Sequence, residues 1–87
     1  MSVNQSLIEK VQVNQRLITD LLEEQSLTMV EYRRCVNAYP ADDSALSEKE
    51  KMRVSETLKA LRDEINDVSE RILKLQQEIT TIISGEV

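Results

Sequence analysis

Among its 87 residues the chain has no histidine, phenylalanine or tryptophan, and only one cysteine, one glycine and one proline. Each shortage excludes a class of chemistry. Without histidine the commonest ligand for zinc, copper or iron is missing, as is the Glu-x-x-His motif of carboxylate-bridged di-metal bundles. The lone thiol, Cys35, has no intrachain disulfide partner and no imidazole to activate it, so it reads as a packed helix cysteine. A single glycine, Gly85, is too few for a phosphate-cradling loop. The adjacent acids Glu23 and Glu24 point about 100° apart on a helix and do not make an acid and base pair. Asp42 and Asp43 lie in a stretch without the glycine and spacing of a calcium loop. No catalytic, cofactor-binding or metal-binding residues emerge. The expectation is a protein that is not an enzyme, with no cofactor and no small-molecule substrate.

Long apolar runs are missing as well. No window approaches the 18 or so apolar residues of a membrane span. The opening stretch MSVNQSLIEKVQVNQ lacks the basic start and apolar core of a signal peptide. With one unpaired thiol, this points to a cytoplasmic location and no membrane partner. Basic patches are equally scarce. Sixteen acidic residues outnumber 11 basic ones for a net charge of −5, and the two signs are interspersed. The only adjacent basic pair, Arg33 and Arg34, has Glu31 beside it, so there is no stripe to displace counterions from nucleic acid.

What remains is rich in Leu, Ile, Val, Glu, Lys and Gln, with Tyr32 and Tyr39 the only aromatics. That composition belongs to long helices and coiled coils, and an all-α fold follows. The second half carries the clearest pattern. Val54, Leu58, Leu61, Ile65, Val68, Ile72, Leu75, Ile79 and Ile82 alternate in steps of four and three, an unbroken heptad seam. Leu58, Ile65, Ile72 and Ile79 take the a positions and the others the d positions. Ser47 followed by Glu50 is a capping box, and Glu48 and Glu50 suit the positive end of a helix dipole. Gly85, after Ser84, is expected to close the helix in the left-handed conformation.

The first half is helical but less regular. Leu7, Ile8, Val11, Ile18, Leu21, Leu22, Met29, Tyr32, Val36 and Tyr39 share one broad face at 100° per residue. Asn14, Gln25 and Thr28 occupy seam positions on it, where polar groups cost stability and can fix register. A sparser group, Val13, Leu17, Leu27 and Val30, lies to one side. It reads as ordinary surface decoration; the sharper alternative is that the first helix touches two neighbours. Pro40 disfavours helical geometry at Tyr39, and Asp42, Asp43 and Ser44 supply turn chemistry.

The prediction is a single domain over residues 1–87: a helix over about 4–38, a turn over about 39–46 and a helix over about 47–83. At 1.5 Å per residue the two helices are about 50 and 55 Å long, matched for antiparallel pairing as a coiled-coil-like hairpin. Two helices cover each seam residue on one side only, so the hairpin is expected to be completed to a four-helix bundle by dimerisation or by partner helices. A parallel zipper would oppose Thr57 with Arg62, Glu64 with Ser69 and Arg71 with Gln76, none of them an ion pair. The interaction seam predicted on these grounds is the nine second-helix residues together with Leu7, Val11, Ile18, Leu21 and Tyr32.

In outline the pattern resembles the small two-helix proteins that act as type III secretion co-chaperones, phage assembly factors and subunits of coiled-coil complexes. That likeness is one of shape and rests on no motif. The function expected from the unbroken seam of the second helix, which one facing helix with a seam interrupted by Asn14, Gln25 and Thr28 does not satisfy, is a non-enzymatic protein–protein interaction module, a small chaperone, adaptor or assembly subunit, that binds a protein partner or itself. The alternative is a small acidic inhibitor occupying a basic groove of a nucleic-acid enzyme, a reading carried by size and charge alone.

Overall fold

A computed structural model describes residues 2–85. Two helices account for nearly all of it: α1, Ser2–Ala38, and α2, Glu48–Gly85. They pack against each other as an antiparallel hairpin 68 Å long and 16 × 15 Å in section. Leu7 and Val11 lie beside Ile82 at the open end, and Tyr39 lies beside Val54 at the turn.

Local chemistry explains the turn. Helix α1 tightens in its last step, where the Tyr39 amide donates to the Val36 carbonyl at 3.2 Å, and Pro40, with no amide hydrogen to give, follows at once. Asp42 then accepts from the Ser44 amide at 3.0 Å, an Asx turn, and the Leu46 amide donates to the Asp43 carbonyl at 3.0 Å. Ser47 caps α2, its Oγ accepting from the Glu50 amide at 3.1 Å. The Glu50 carboxylate accepts from the Ser47 hydroxyl at 3.1 Å, so the box closes through side chains.

One expectation is corrected. Gly85 does not close α2 in the left-handed conformation: no described glycine has a positive φ, and Gly85 is itself part of the helix. The broad apolar face of α1 divides in two. Ile8, Leu22, Met29 and Val36 are 50%, 50%, 43% and 43% exposed, and they do not share the helix junction with Leu7, Val11, Ile18 and Leu21. One facing helix covers only a stripe two residues in seven wide, and these four stand one position beyond it.

Candidate interaction surface

The seam comes first, because it decides which surface is left over. Along α1 and at Tyr39 just past its end, the half-buried or buried positions among the described residues are Leu7, Val11, Asn14, Ile18, Leu21, Gln25, Thr28, Tyr32, Cys35 and Tyr39, with Glu31 beside Tyr32. They run in alternating steps of four and three, so α1 carries a full heptad seam in which polar groups stand in for apolar ones. All nine predicted seam residues of α2, and Leu7, Val11, Ile18, Leu21 and Tyr32 of α1, lie half-buried or buried at this junction. Packing is thin nonetheless. Among the described residues only Val68 (2% exposed), Ile72 (8%) and Asn14 (8%) are buried.

The three polar seam residues solve their hydrogen bonding differently. Gln25 Nε2 reaches across to α2 and donates to the Ile65 carbonyl at 3.0 Å and to Ser69 Oγ at 2.6 Å. Those two acceptors bracket Val68, which sets the register: an a position of α1 meets a d position of α2, as an antiparallel pair requires. Thr28 is satisfied within its own helix, its hydroxyl donating to the Glu24 carbonyl at 3.1 Å. Asn14 Nδ2 is buried without a partner. An orphaned amide donor of this kind costs about 1–3 kcal/mol. At the ninth position of the seam, Cys35 holds only a long contact, 3.9 Å, from its thiol to Glu31 Oε1.

Charge contributes little to the pairing of the helices. The ion pairs found among the described residues, Arg71–Asp67 at 3.2 Å, Arg34–Glu31 at 3.5 Å and Lys51–Glu48 at 3.5 Å, each lie within one helix. Exposed pairs of this type are worth at most about 1 kcal/mol. At the turn the Tyr39 hydroxyl donates to Asp43 Oδ2. That bond holds the Asp43 carboxyl below its ordinary value of 3.8 and pushes the Tyr39 phenol above 10.0. The Asp42 carboxyl is likewise lowered, by the hydrogen bond from the Ser44 amide.

Surface left over from the seam is unequally divided. Among the described residues eleven large apolar side chains are at least 43% exposed, and seven of them lie on one flank: Ile8, Leu22, Met29 and Val36 from α1, Met52, Leu73 and Ile83 from α2. These occupy the e and b heptad positions, which an antiparallel pair turns to the same side. Ile8, Gln12 and Gln15 share a hollow with Ile82 and Ile83, and Met29, Arg33 and Val36 share another with Ile65. Between residues 5 and 36 of α1, and 52 and 83 of α2, no e or b position holds an acid; the only charges there are Arg33, Lys59 and Arg62. Glu48, at an e position one turn before Met52, is the single helix acid on this flank among the described residues; the others gather on the outer faces and on the opposite flank. Val13, Leu17, Leu27 and Val30 lie there too, 45–68% exposed.

Hydropathy by itself placed four of the seven flank residues on one broad face with the α1 seam and did not single out Met52, Leu73 or Ile83. The signal that finds this flank is the placement of the acids. Once the seam is followed through Asn14, Gln25 and Thr28 regardless of polarity, the heptad positions nearly free of Asp and Glu fall on one side.

Among the described residues no helix is long and apolar enough to cross a membrane, and no cluster of three or more His, Cys, Asp or Glu side chains is placed to hold a metal ion. No family model matches the chain, and neither a curated protein nor a solved structure matches it significantly.

Proposed function

We propose that the chain is a non-enzymatic protein–protein interaction module: a small helical chaperone, adaptor or assembly subunit of the cytoplasm, whose hairpin is completed to a four-helix bundle by further helices. The observation that carries this reading is the flank just described. Seven large apolar side chains, from Leu22, Met29 and Val36 through Leu73 and Ile83, stand at 43–63% exposure on one side of a hairpin in which, among the described residues, only Val68, Ile72 and Asn14 are buried. A flank of apolar and uncharged polar side chains, with no carboxylate between residues 5 and 36 or 52 and 83, can be covered by another helix pair without stranding a buried negative charge. An 87-residue chain with no disulfide needs such help, because a core this small is marginal.

Light scattering at micromolar concentration, paired with thermal melts over a hundredfold range of concentration, tests the reading. The expected result is an oligomer, or a melting temperature that rises with concentration. Ile72→Asp places a charge in the most buried part of the seam and is expected to abolish both folding and association. A stable monomer whose melting temperature is independent of concentration, and which Ile72→Asp leaves unaltered, overturns the proposal.

A further inference from the structure

The flank carries its own symmetry. Along α1 its apolar residues Ile8, Leu22 and Val36 are spaced two heptads apart on either side of Leu22, about 21 Å each way at 1.5 Å per residue. Gln15 and Met29 fill the heptads between. A two-fold axis lying in the plane of the flank, across the hairpin at Leu22, therefore brings Leu22 against its own mate and Ile8 against Val36. Building on the interaction-module reading above, we propose that the flank is covered by a second copy of this chain, the two hairpins packed with their turns at opposite ends and α1 running antiparallel to α1 of its mate.

Charge selects this orientation. The register fixed by Gln25 opposite Val68 puts Lys59 and Arg62 level with Arg33, so the three bases form one cluster toward the turn. Packing two hairpins with their turns at the same end faces this cluster with its own copy, six positive charges with no acid between residues 5 and 36 or 52 and 83 of the flank to pair them. Reversing one hairpin sets the clusters at opposite ends, where the long stems of Lys59 and Arg33 lie over the Ile83 region of the mate. Area suffices as well. A flank about as long and as wide as the 68 × 16 Å hairpin offers on the order of 1,000 Å² per copy, above the roughly 800 Å² per partner of a standard stable interface. An interface of one flank with itself closes as a dimer and does not propagate.

Cross-linking with a short bismaleimide in a Cys35→Ser background tests orientation and surface together. Leu22→Cys is expected to cross-link to itself several-fold more than Leu27→Cys, which is 68% exposed but lies off the flank. Ile8→Cys and Val36→Cys are each expected to stay uncoupled alone and to cross-link when mixed. Leu22→Glu, at a position half-exposed in the single hairpin, is expected to convert dimer to monomer in light scattering, with far-ultraviolet circular dichroism reporting whether the helices persist. Ile8→Cys coupling to itself overturns the orientation. A dimer that cross-links through Leu27→Cys and not Leu22→Cys overturns the flank and leaves the interaction-module reading standing. A monomer of the unsubstituted protein with a concentration-independent melt overturns both.

Discussion

Replacing Asn14 by leucine is expected to stabilise the protein, and the size of the effect follows from its surroundings. Asn14 is 8% exposed and its Nδ2 has no acceptor, so the folded state bears the desolvation cost of that donor uncompensated. Removing it recovers about 1–3 kcal/mol. Leucine in the same place adds apolar burial against the aliphatic seam of α2, up to about 2 kcal/mol before the loss of side-chain entropy is subtracted. A net gain of about 2–4 kcal/mol is expected. Gln25→Leu is the control. It gains similar apolar contact but gives up two made hydrogen bonds, at 3.0 and 2.6 Å, and leaves the Ser69 hydroxyl and Ile65 carbonyl without that donor. Its expected change is within about 1 kcal/mol of zero. Urea denaturation followed by circular dichroism, at one fixed protein concentration, reads both as shifts in midpoint at unchanged slope. Asn14→Leu that is neutral or destabilising refutes the reasoning, because it means the amide is satisfied in the folded protein.

Two further predictions concern the turn. Ser47→Ala removes the acceptor for the Glu50 amide and is expected to cost about 1 kcal/mol by the same denaturation assay, with Ser47→Gly milder; equal stability of Ser47→Ala and the parent would mean the cap does not operate. The Tyr39–Asp43 bond has a definite pH window. Because the Asp43 pKa is lowered, its contribution to stability is complete above the unfolded value of 3.8 and is lost as pH falls through the lower folded value. Because the Tyr39 pKa is raised, its contribution is complete below 10.0 and is lost as pH rises through the higher folded value. In a Tyr32→Phe background, Asp43→Ala is expected to bring the phenolate absorbance titration of Tyr39 back down toward 10.0; an unmoved midpoint contradicts the assigned contact.

The parts legible in the sequence are those governed by near neighbours. Ser47 with Glu50, and Pro40 with Asp42 and Ser44, act over two or three residues, and they place the turn where the structure has it. The heptads of α2 are equally plain, because every seam position from Val54 to Ile82 is aliphatic. Helix α1 is harder to read by hydrophobicity alone. Its seam passes through Asn14, Gln25, Thr28 and Cys35, while Ile8, Leu22, Met29 and Val36 offer an apolar row just beside it. A sum over side-chain hydropathies averages the two rows into one broad face.

The sequence by itself determined two helices, their turn and cap, and the face that α2 presents, since local hydrogen bonding and a 3.5-residue apolar repeat are properties of one segment at a time. Only the tertiary structure decided how much of the broad apolar face of α1 is covered. That extent depends on where a second helix lies, and its register is held by Gln25 reaching Ile65 and Ser69 from 40 and 44 residues away in the chain. The same packing leaves Asn14 without a partner while Gln25 finds two, and it aligns separate residues of both helices into one apolar flank poor in acids. A surface shared by two segments exists only once they are side by side.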